Sequence, residues 1–115
     1  MQLETIKFML MAQDMERGVA FYRDVFGLQP GFVSPHWSEL SRGDAVVALH
    51  GGGDGSFTAT GLSFQVKDLE AACREVAAAG GTIRKQPEAR PGEPIKLAEA
   101  TDPEGNGILL TEYLG

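Results

Sequence analysis

The sequence contains one pattern twice, and this repeat limits the possible folds more than any other feature. Residues 6–28 and 61–81 each read as an apolar strand, a turn and an amphipathic helix that ends at glycine. Asp14 and Asp68 take equivalent places, where a carboxylate can accept hydrogen bonds from the free amides of a helix N-terminus. We therefore predict two copies of one β-α unit, with each helix beginning just after its aspartate.

Strand-like segments follow each predicted helix, so the predicted order is βαβββ twice. A glycine-rich linker, residues 51–56, separates the copies, and Asp102-Pro103-Glu104-Gly105-Asn106 is a strong turn sequence. We predict one domain over residues 1–115, with module one at about 1–51 and module two at about 58–115. The predicted strands are 32–33, 37–41, 45–50, 82–85, 95–100 and 107–113, with a proline-rich loop at 86–94.

The amino-acid composition limits the binding partners and the cellular location that we expect for this chain. The net charge of −6 makes nucleic acid and anionic membranes poor partners, because both carry negative charge. The single cysteine, Cys73, cannot form an internal disulfide bond. No apolar run approaches the length of a membrane span, and no signal segment is evident at the N-terminus. We expect a cytoplasmic protein that uses neither a membrane nor nucleic acid.

The repeat carries motifs of a known family. They are Asp14-Met15-Glu16, then Phe21-Tyr22-Arg23-Asp24-Val25-Phe26-Gly27-Leu28, then Asp68-Leu69-Glu70 and the turn 102–106. With these motifs the chain resembles the vicinal oxygen chelate superfamily, which includes glyoxalase I, extradiol dioxygenases, fosfomycin-resistance proteins and bleomycin-resistance proteins. The resemblance implies an α+β fold in which paired βαβββ modules form a cup-shaped sheet with helices on the outer face. It also implies a homodimer.

Strand alternation divides the side chains between the two faces of this sheet. The residues predicted to pack under the helices are Phe8, Leu10, Val47, Leu49, Leu62, Phe64, Ile108 and Leu110. Those predicted to face the cup are Lys7, Met9, Met11, Val46, Ala48, His50, Gly61, Ser63, Gln65, Leu109 and Thr111.

The resemblance implies four metal-ligand positions in the cup, and none of them suits a metal here. They correspond to Lys7, Ala48, Gly61 and Leu109. A divalent ion needs nitrogen or carboxylate donors, whereas three of these residues offer no donor and the lysine ammonium repels a cation. We therefore predict a metal-free protein without a cofactor, which favours a binding protein over an enzyme.

The predicted function is binding of an aromatic or cationic natural product, in the manner of bleomycin-resistance and other antibiotic-resistance proteins. Trp37 offers a stacking face for a flat or cationic ligand, although a core or dimer-interface tryptophan fits the sequence equally well. The remaining predicted ligand-binding residues are Met9, Met11, His50, Ser63, Gln65 and Leu109.

Two alternatives remain open from the sequence. The first is a lyase, isomerase or dioxygenase of the same superfamily, metal-free or with relocated metal ligands. Its candidate catalytic residues are His50, Glu39 and Glu99, with His36 less favoured. The second is a regulatory partner subunit whose cup is filled by its own methionines.

Overall fold

The chain folds as two successive βαβββ modules. A computed structural model describes all 115 residues. Module one contains β1 (Lys7–Ala12), α1 (Met15–Phe26), β2 (Gln29–Phe32), β3 (Trp37–Arg42) and β4 (Ala45–Gly51). Module two contains β5 (Thr58–Gln65), α2 (Leu69–Ala78), β6 (Thr82–Ala89), β7 (Ile95–Thr101) and β8 (Asn106–Tyr113). The predicted element order and the α+β class are confirmed.

Each module forms its own four-stranded mixed sheet. The strand orders are β1-β4-β3-β2 and β5-β8-β7-β6, and no hydrogen-bonded ladder joins the two sheets. The first strand of each module pairs in parallel with the last, and the other pairs are antiparallel. The molecule measures 41 × 36 × 21 Å, so one dimension has room for little more than a helix layer on a sheet. We call the sheet surface turned away from the helices the open face.

Both helices begin where the sequence predicts. Asp14 Oδ1 accepts a hydrogen bond from Arg17 N at 3.2 Å, and Asp68 Oδ1 accepts one from Ala71 N at 3.0 Å. Gly27 ends α1 in the left-handed conformation, with φ of 69°. Neither helix is long and apolar enough to cross a membrane.

The apolar core lies between the helices and the sheets. Leu10, Leu49, Ile108 and Leu110 are buried in it as predicted. Phe8 differs from its prediction, because 36% of its surface is exposed. It lies on the edge strand β1 beside an apolar groove of about 700 Å³ between the two sheets. An edge position gives a side chain neighbours on one side only, so the alternation of the strand was insufficient to bury it.

Two strand boundaries differ from the predicted ones. Strand β6 continues to Ala89 through residues that we expected to form a loop, and β2 begins at Gln29 rather than at Phe32. Each segment contains a proline, Pro87 or Pro30, which argued against a strand. Both strands lie at a sheet edge, where a missing backbone N–H costs no ladder hydrogen bond.

The turn between β7 and β8 docks module two onto module one. The Tyr22 hydroxyl on α1 donates to Asp102 Oδ2 at 2.5 Å, and both residues are buried. Burial and the neighbouring Asp102 raise the pKa of Tyr22 well above 10, so the phenol remains a donor. Asn106 Nδ2 donates to the Met11 carbonyl at 2.7 Å, and Met11 N donates back to Asn106 Oδ1 at 3.2 Å.

Glu104 makes the largest set of contacts between the modules. Its Oε1 accepts from Gln13 N at 3.0 Å and from Asp14 N at 2.7 Å, and its Oε2 lies 2.6 Å from Arg17 Nε. The glutamate side chain is fully buried. The turn over residues 102–106, predicted from local sequence alone, therefore also makes most of the polar contacts between the two modules.

Candidate functional site

The open face of module one carries the predicted tryptophan. Ser38 and Leu40 are fully buried, so alternation along β3 directs Trp37 and Glu39 to the open face. The strand register places Trp37 opposite His50, and His50 opposite Met11. These three predicted ligand-binding residues therefore form one row across the sheet.

The next row contains Glu39, Ala48 and Met9. Glu39 Oε2 accepts from the Trp37 indole Nε1 at 2.7 Å and from Lys7 Nζ at 2.8 Å. We call Lys7, Trp37 and Glu39 the indole clamp. Ala48 is fully buried although it belongs to this row, because a methyl group is short enough to be covered by its neighbours. The methionine beside it is 52% exposed and adds apolar surface to the face.

His50 borders the indole clamp. Its ring meets the Trp37 ring edge to face, with centroids 6.1 Å apart and planes at 90°. Its Nδ1 lies 2.6 Å from the carbonyl oxygen of Gly51. In the neutral ring, this contact is satisfied when Nδ1 carries the proton, which leaves Nε2 as a hydrogen-bond acceptor.

The pKa of Glu39 provides a direct test of the indole clamp. The hydrogen bond from Lys7, followed by that from Trp37, lowers this pKa below its ordinary value of 4.5. A lowered folded-state pKa means that the clamp is complete above 4.5 and is lost as the pH falls through the lowered value. Because Trp37 is the only tryptophan, its fluorescence should change with a midpoint below pH 4.5. Lys7→Met should raise that midpoint, and the control Lys67→Met should leave it unchanged. Equal midpoints for wild type and Lys7→Met would contradict the clamp.

The open face of module two carries the other predicted residues. Ser63 lies opposite Leu109, which lies opposite Glu99, and Gln65 lies opposite Thr111. A pocket of about 260 Å³ lies on this face and includes Gly61, Glu99 and Leu109 in its lining. Two further lining residues, Phe57 and Arg84, were not among the site residues predicted from the sequence. The only available signal was Gly61, since a glycine inside a strand often marks a bulge.

The structure does not bring all the predicted ligand-binding residues into one cavity. Trp37, His50, Met9 and Met11 lie on one sheet, whereas Ser63, Gln65 and Leu109 lie on the other. No sizeable cavity of the chain is lined by residues of both groups.

Comparison of the sequence with models of known protein families shows which family the chain belongs to. The model of the glyoxalase/bleomycin resistance protein/dioxygenase superfamily matches residues 6–110. The chain belongs to this superfamily. The matched range begins one residue before β1 and ends within β8, so both modules are included. Among curated proteins, none matches the sequence at a significant level.

Solved structures of the superfamily share the fold at low sequence identity. A family enzyme from Burkholderia phytofirmans PsJN is 22% identical, with a TM-score of 0.79 over 94% of this chain and 97% of the other. The genomically encoded fosfomycin resistance protein of Listeria monocytogenes is 14% identical, with a TM-score of 0.79 over 97% and 94%. The bleomycin-binding protein of Streptomyces verticillus, solved with copper(II)-bleomycin, is 20% identical, with a TM-score of 0.69 over 96% of each chain.

The superfamily's metal positions do not fit a metal in this chain. Lys7 extends its ammonium to Glu39, Ala48 is buried, and Gly61 and Leu109 have no donor atom. The one cluster of three potential ligands, Asp68, Glu70 and Glu112, lies elsewhere, at the start of α2. There each carboxylate already has a partner: the helix cap, Lys96 and the amide of Leu69, respectively. The side chains at these four positions therefore do not offer a divalent ion the nitrogen and carboxylate donors that it needs.

Proposed function

We propose that this chain is a metal-independent small-molecule binding protein whose ligand stacks a flat aromatic group on Trp37. The observation that carries this proposal is the indole clamp. The indole is half-buried and its N–H is bonded to Glu39, so its orientation is held while part of its surface stays exposed to a ligand. A preorganised side chain loses less conformational entropy when a ligand binds. Stacking on such a ring contributes about 0.5–1.5 kcal/mol beyond the burial of apolar area.

The charges of the indole clamp favour an aromatic ligand over a cation. Glu39 is the acidic group nearest Trp37, and the Lys7 ammonium at 2.8 Å balances its charge. A cationic ligand would have to compete with this lysine. The negative charge of the whole chain therefore contributes little attraction at the site, and stacking with apolar contact provides most of the affinity.

We further propose that the functional unit is a homodimer in which a second copy completes the site. Strands β1 and β5 are both sheet edges with free ladder groups, which are natural places for another chain to pair. Ile6, just before β1, is 72% exposed and apolar. In such a dimer, Leu109, Ser63 and Gln65 of one copy would face Trp37 of the other. This arrangement would join the two groups of ligand-binding residues that lie apart in one chain.

Two structural relatives suggest a biological role. One is a bleomycin-binding protein, and the other is a fosfomycin resistance protein. By analogy, this chain would sequester an aromatic natural product, and sequestration needs neither a metal nor a chemical step. The poor donors at Lys7, Ala48, Gly61 and Leu109 agree with that role better than with a metal-dependent one.

Calorimetric titration in the presence of EDTA tests the proposal. The panel consists of bleomycin, an uncharged polycyclic aromatic antibiotic and an aromatic cation such as ethidium. We expect the aromatic antibiotic to bind, and Trp37→Leu to weaken that binding by about tenfold or more. Tyr113→Leu is the matched control, because it removes an exposed aromatic side chain from the other sheet. The absence of heat for every compound, or equal binding by wild type and Trp37→Leu, would contradict the proposal.

A second candidate function is metal-independent general-base catalysis. The observation that favours it is the contact between His50 Nδ1 and the Gly51 carbonyl, because it directs the free Nε2 to the open face. Glu39 is a poor base in comparison, since its pKa is lowered. Chemical change of a bound compound during the titrations, abolished in His50→Gln, would establish this function.

A further inference from the structure

We propose that the pocket on the open face of module two binds a small zwitterion, with Arg84 holding its carboxylate and Glu99 its ammonium group. This inference deepens the proposed function, since it rests on small-molecule binding at the open face, but it does not require Trp37. The pocket has a volume of about 260 Å³, which suits a molecule of amino-acid size. Its main lining residues are Phe57, Thr60, Gly61, Arg84, Glu99 and Leu109.

Arg84 is oriented but has no carboxylate partner. Its guanidinium carbon lies 3.5 Å from the centroid of the Phe57 ring, in the stacked position of a cation-π contact. No Asp or Glu oxygen lies within ion-pair distance of it. A stacked guanidinium keeps its planar set of N–H donors at its edge, and that edge matches the two oxygens of a carboxylate. The arginine is therefore prepared for an anion that the chain itself does not supply.

Arg84 lies at a strand irregularity beside this pocket. On β6, Ile83 lies opposite Ala100 and Lys85 lies opposite Glu99, which leaves Arg84 as the additional residue of a bulge. Bulges redirect side chains and are frequent beside binding sites. Ile83 packs against the core, so alternation directs Arg84 to the open face, and the bulge then keeps Lys85 on that same side, opposite Glu99.

A second irregularity makes room on the other side of the pocket. On β5, Ala59 lies opposite Gly107 and Ser63 lies opposite Leu109, so residues 60–62 bulge against one residue of β8. Gly61 has φ of 78° there, and a Cβ on it would have no neighbour within 4 Å. The Thr60 hydroxyl donates to the Gly107 carbonyl at 2.6 Å and accepts from Leu62 N at 3.1 Å, which fixes the bulge. Two bulges, on strands at opposite edges of the sheet, thus border one pocket.

Glu99 adds the opposite charge. Ala98 and Ala100 are almost fully buried, so alternation along β7 directs Glu99 to the open face. Its carboxylate makes no ion pair, although Lys85 lies opposite it in the strand register. An anion in the pocket would meet this glutamate, and a cation would meet Arg84. A ligand that carries both charges on one small body complements both groups, and Leu109 provides apolar contact for its side chain.

Calorimetry with three matched probes tests this proposal: L-phenylalanine, 3-phenylpropionate and phenethylamine. The zwitterion should bind about threefold or more tightly than either singly charged probe, because its pairs with the exposed Arg84 and the half-buried Glu99 are partly screened by water. Arg84→Gln should weaken phenylalanine binding by about threefold or more and leave phenethylamine binding no weaker. Glu99→Gln should weaken phenylalanine binding and leave 3-phenylpropionate binding no weaker. The control Arg74→Gln removes an exposed arginine of α2 and should change nothing.

The outcomes separate this inference from the proposed function. Trp37→Leu should leave phenylalanine binding unchanged while it weakens binding of the aromatic antibiotic. If antibiotic binding fails but phenylalanine binds as described, then the Trp37 proposal is wrong and the zwitterion pocket stands. The pocket proposal is overturned if no probe binds, if a singly charged probe equals phenylalanine, or if the Arg84 and Glu99 variants both bind like wild type. All four variants change exposed or half-exposed side chains, so circular dichroism should show them folded.

Discussion

Replacing Glu104 with alanine is expected to destabilise the fold by about 3 kcal/mol, because a fully buried carboxylate that joins the modules is lost. The amides of Gln13 and Asp14 would lose their acceptor, and Arg17 would lose its ion pair. Arg17 is partly exposed and can regain water, so most of the loss arises from the two amides. Urea unfolding followed by Trp37 fluorescence and by circular dichroism measures the change.

Glu93→Ala is the control for this prediction. It removes a carboxylate whose ion pair with Arg90 spans 3.3 Å between two exposed side chains. Exposed pairs of this kind contribute about 0.5 kcal/mol or less, so the control should be nearly neutral. A Glu104→Ala protein that is as stable as Glu93→Ala would show that the turn does not join the modules.

Replacing Gly105 with alanine is expected to destabilise the fold by about 3 kcal/mol or more, through backbone strain together with a steric clash. Gly105 has φ of 98°, and its new Cβ would lie 2.6 Å from the Gly55 carbonyl oxygen and close to that of Ser56. These oxygens belong to the linker between the modules, so the linker must move. The hydrogen bond from Thr58 N to the Gly105 carbonyl, at 2.9 Å, would be disturbed as well.

Gly92→Ala is the control for this prediction, because it introduces the backbone strain without the steric clash. Gly92 also has a positive φ, of 79°, but a Cβ there would meet nothing within 4 Å. Its cost should therefore be limited to the strain of a non-glycine residue in this region, about 1–2 kcal/mol. If Gly105→Ala and Gly92→Ala lose equal stability, then the linker moves away from the new Cβ at no cost, and its packing on Gly105 does not stabilise the fold.

Local sequence was sufficient for the elements and for much of their burial. The caps at Asp14 and Asp68 and the exit at Gly27 depend on contacts within a few residues, and the structure has them where predicted. The boundaries of β2 and β6 were harder to predict. Whether Pro30 and Pro87 break a strand depends on an edge position, which is a property of the whole sheet.

The functional surface depended on contacts that are distant in sequence. The sequence indicated Trp37 but left core, interface and ligand face open, and only the packing of Ser38 and Leu40 directs it to the open face. The ion pair of Lys7 with Glu39 joins residues on different strands, and the stacking of Arg84 on Phe57 likewise joins segments that are distant in sequence. A bulge leaves no periodic signal in the sequence, so the pocket on the open face of module two could not be predicted from the strand pattern.

The proposed function requires that the open face binds an aromatic ligand without a metal. The most direct test is the antibiotic titration performed twice, on protein treated with EDTA and on protein loaded with Zn²⁺, Ni²⁺ or Mn²⁺ and then desalted. We expect the same dissociation constant in both and no metal retained by the chain, because Lys7, Ala48, Gly61 and Leu109 offer a cation no suitable donors. Retention of about one metal ion per chain, with ligand binding that requires it, would show that the proposed function is wrong.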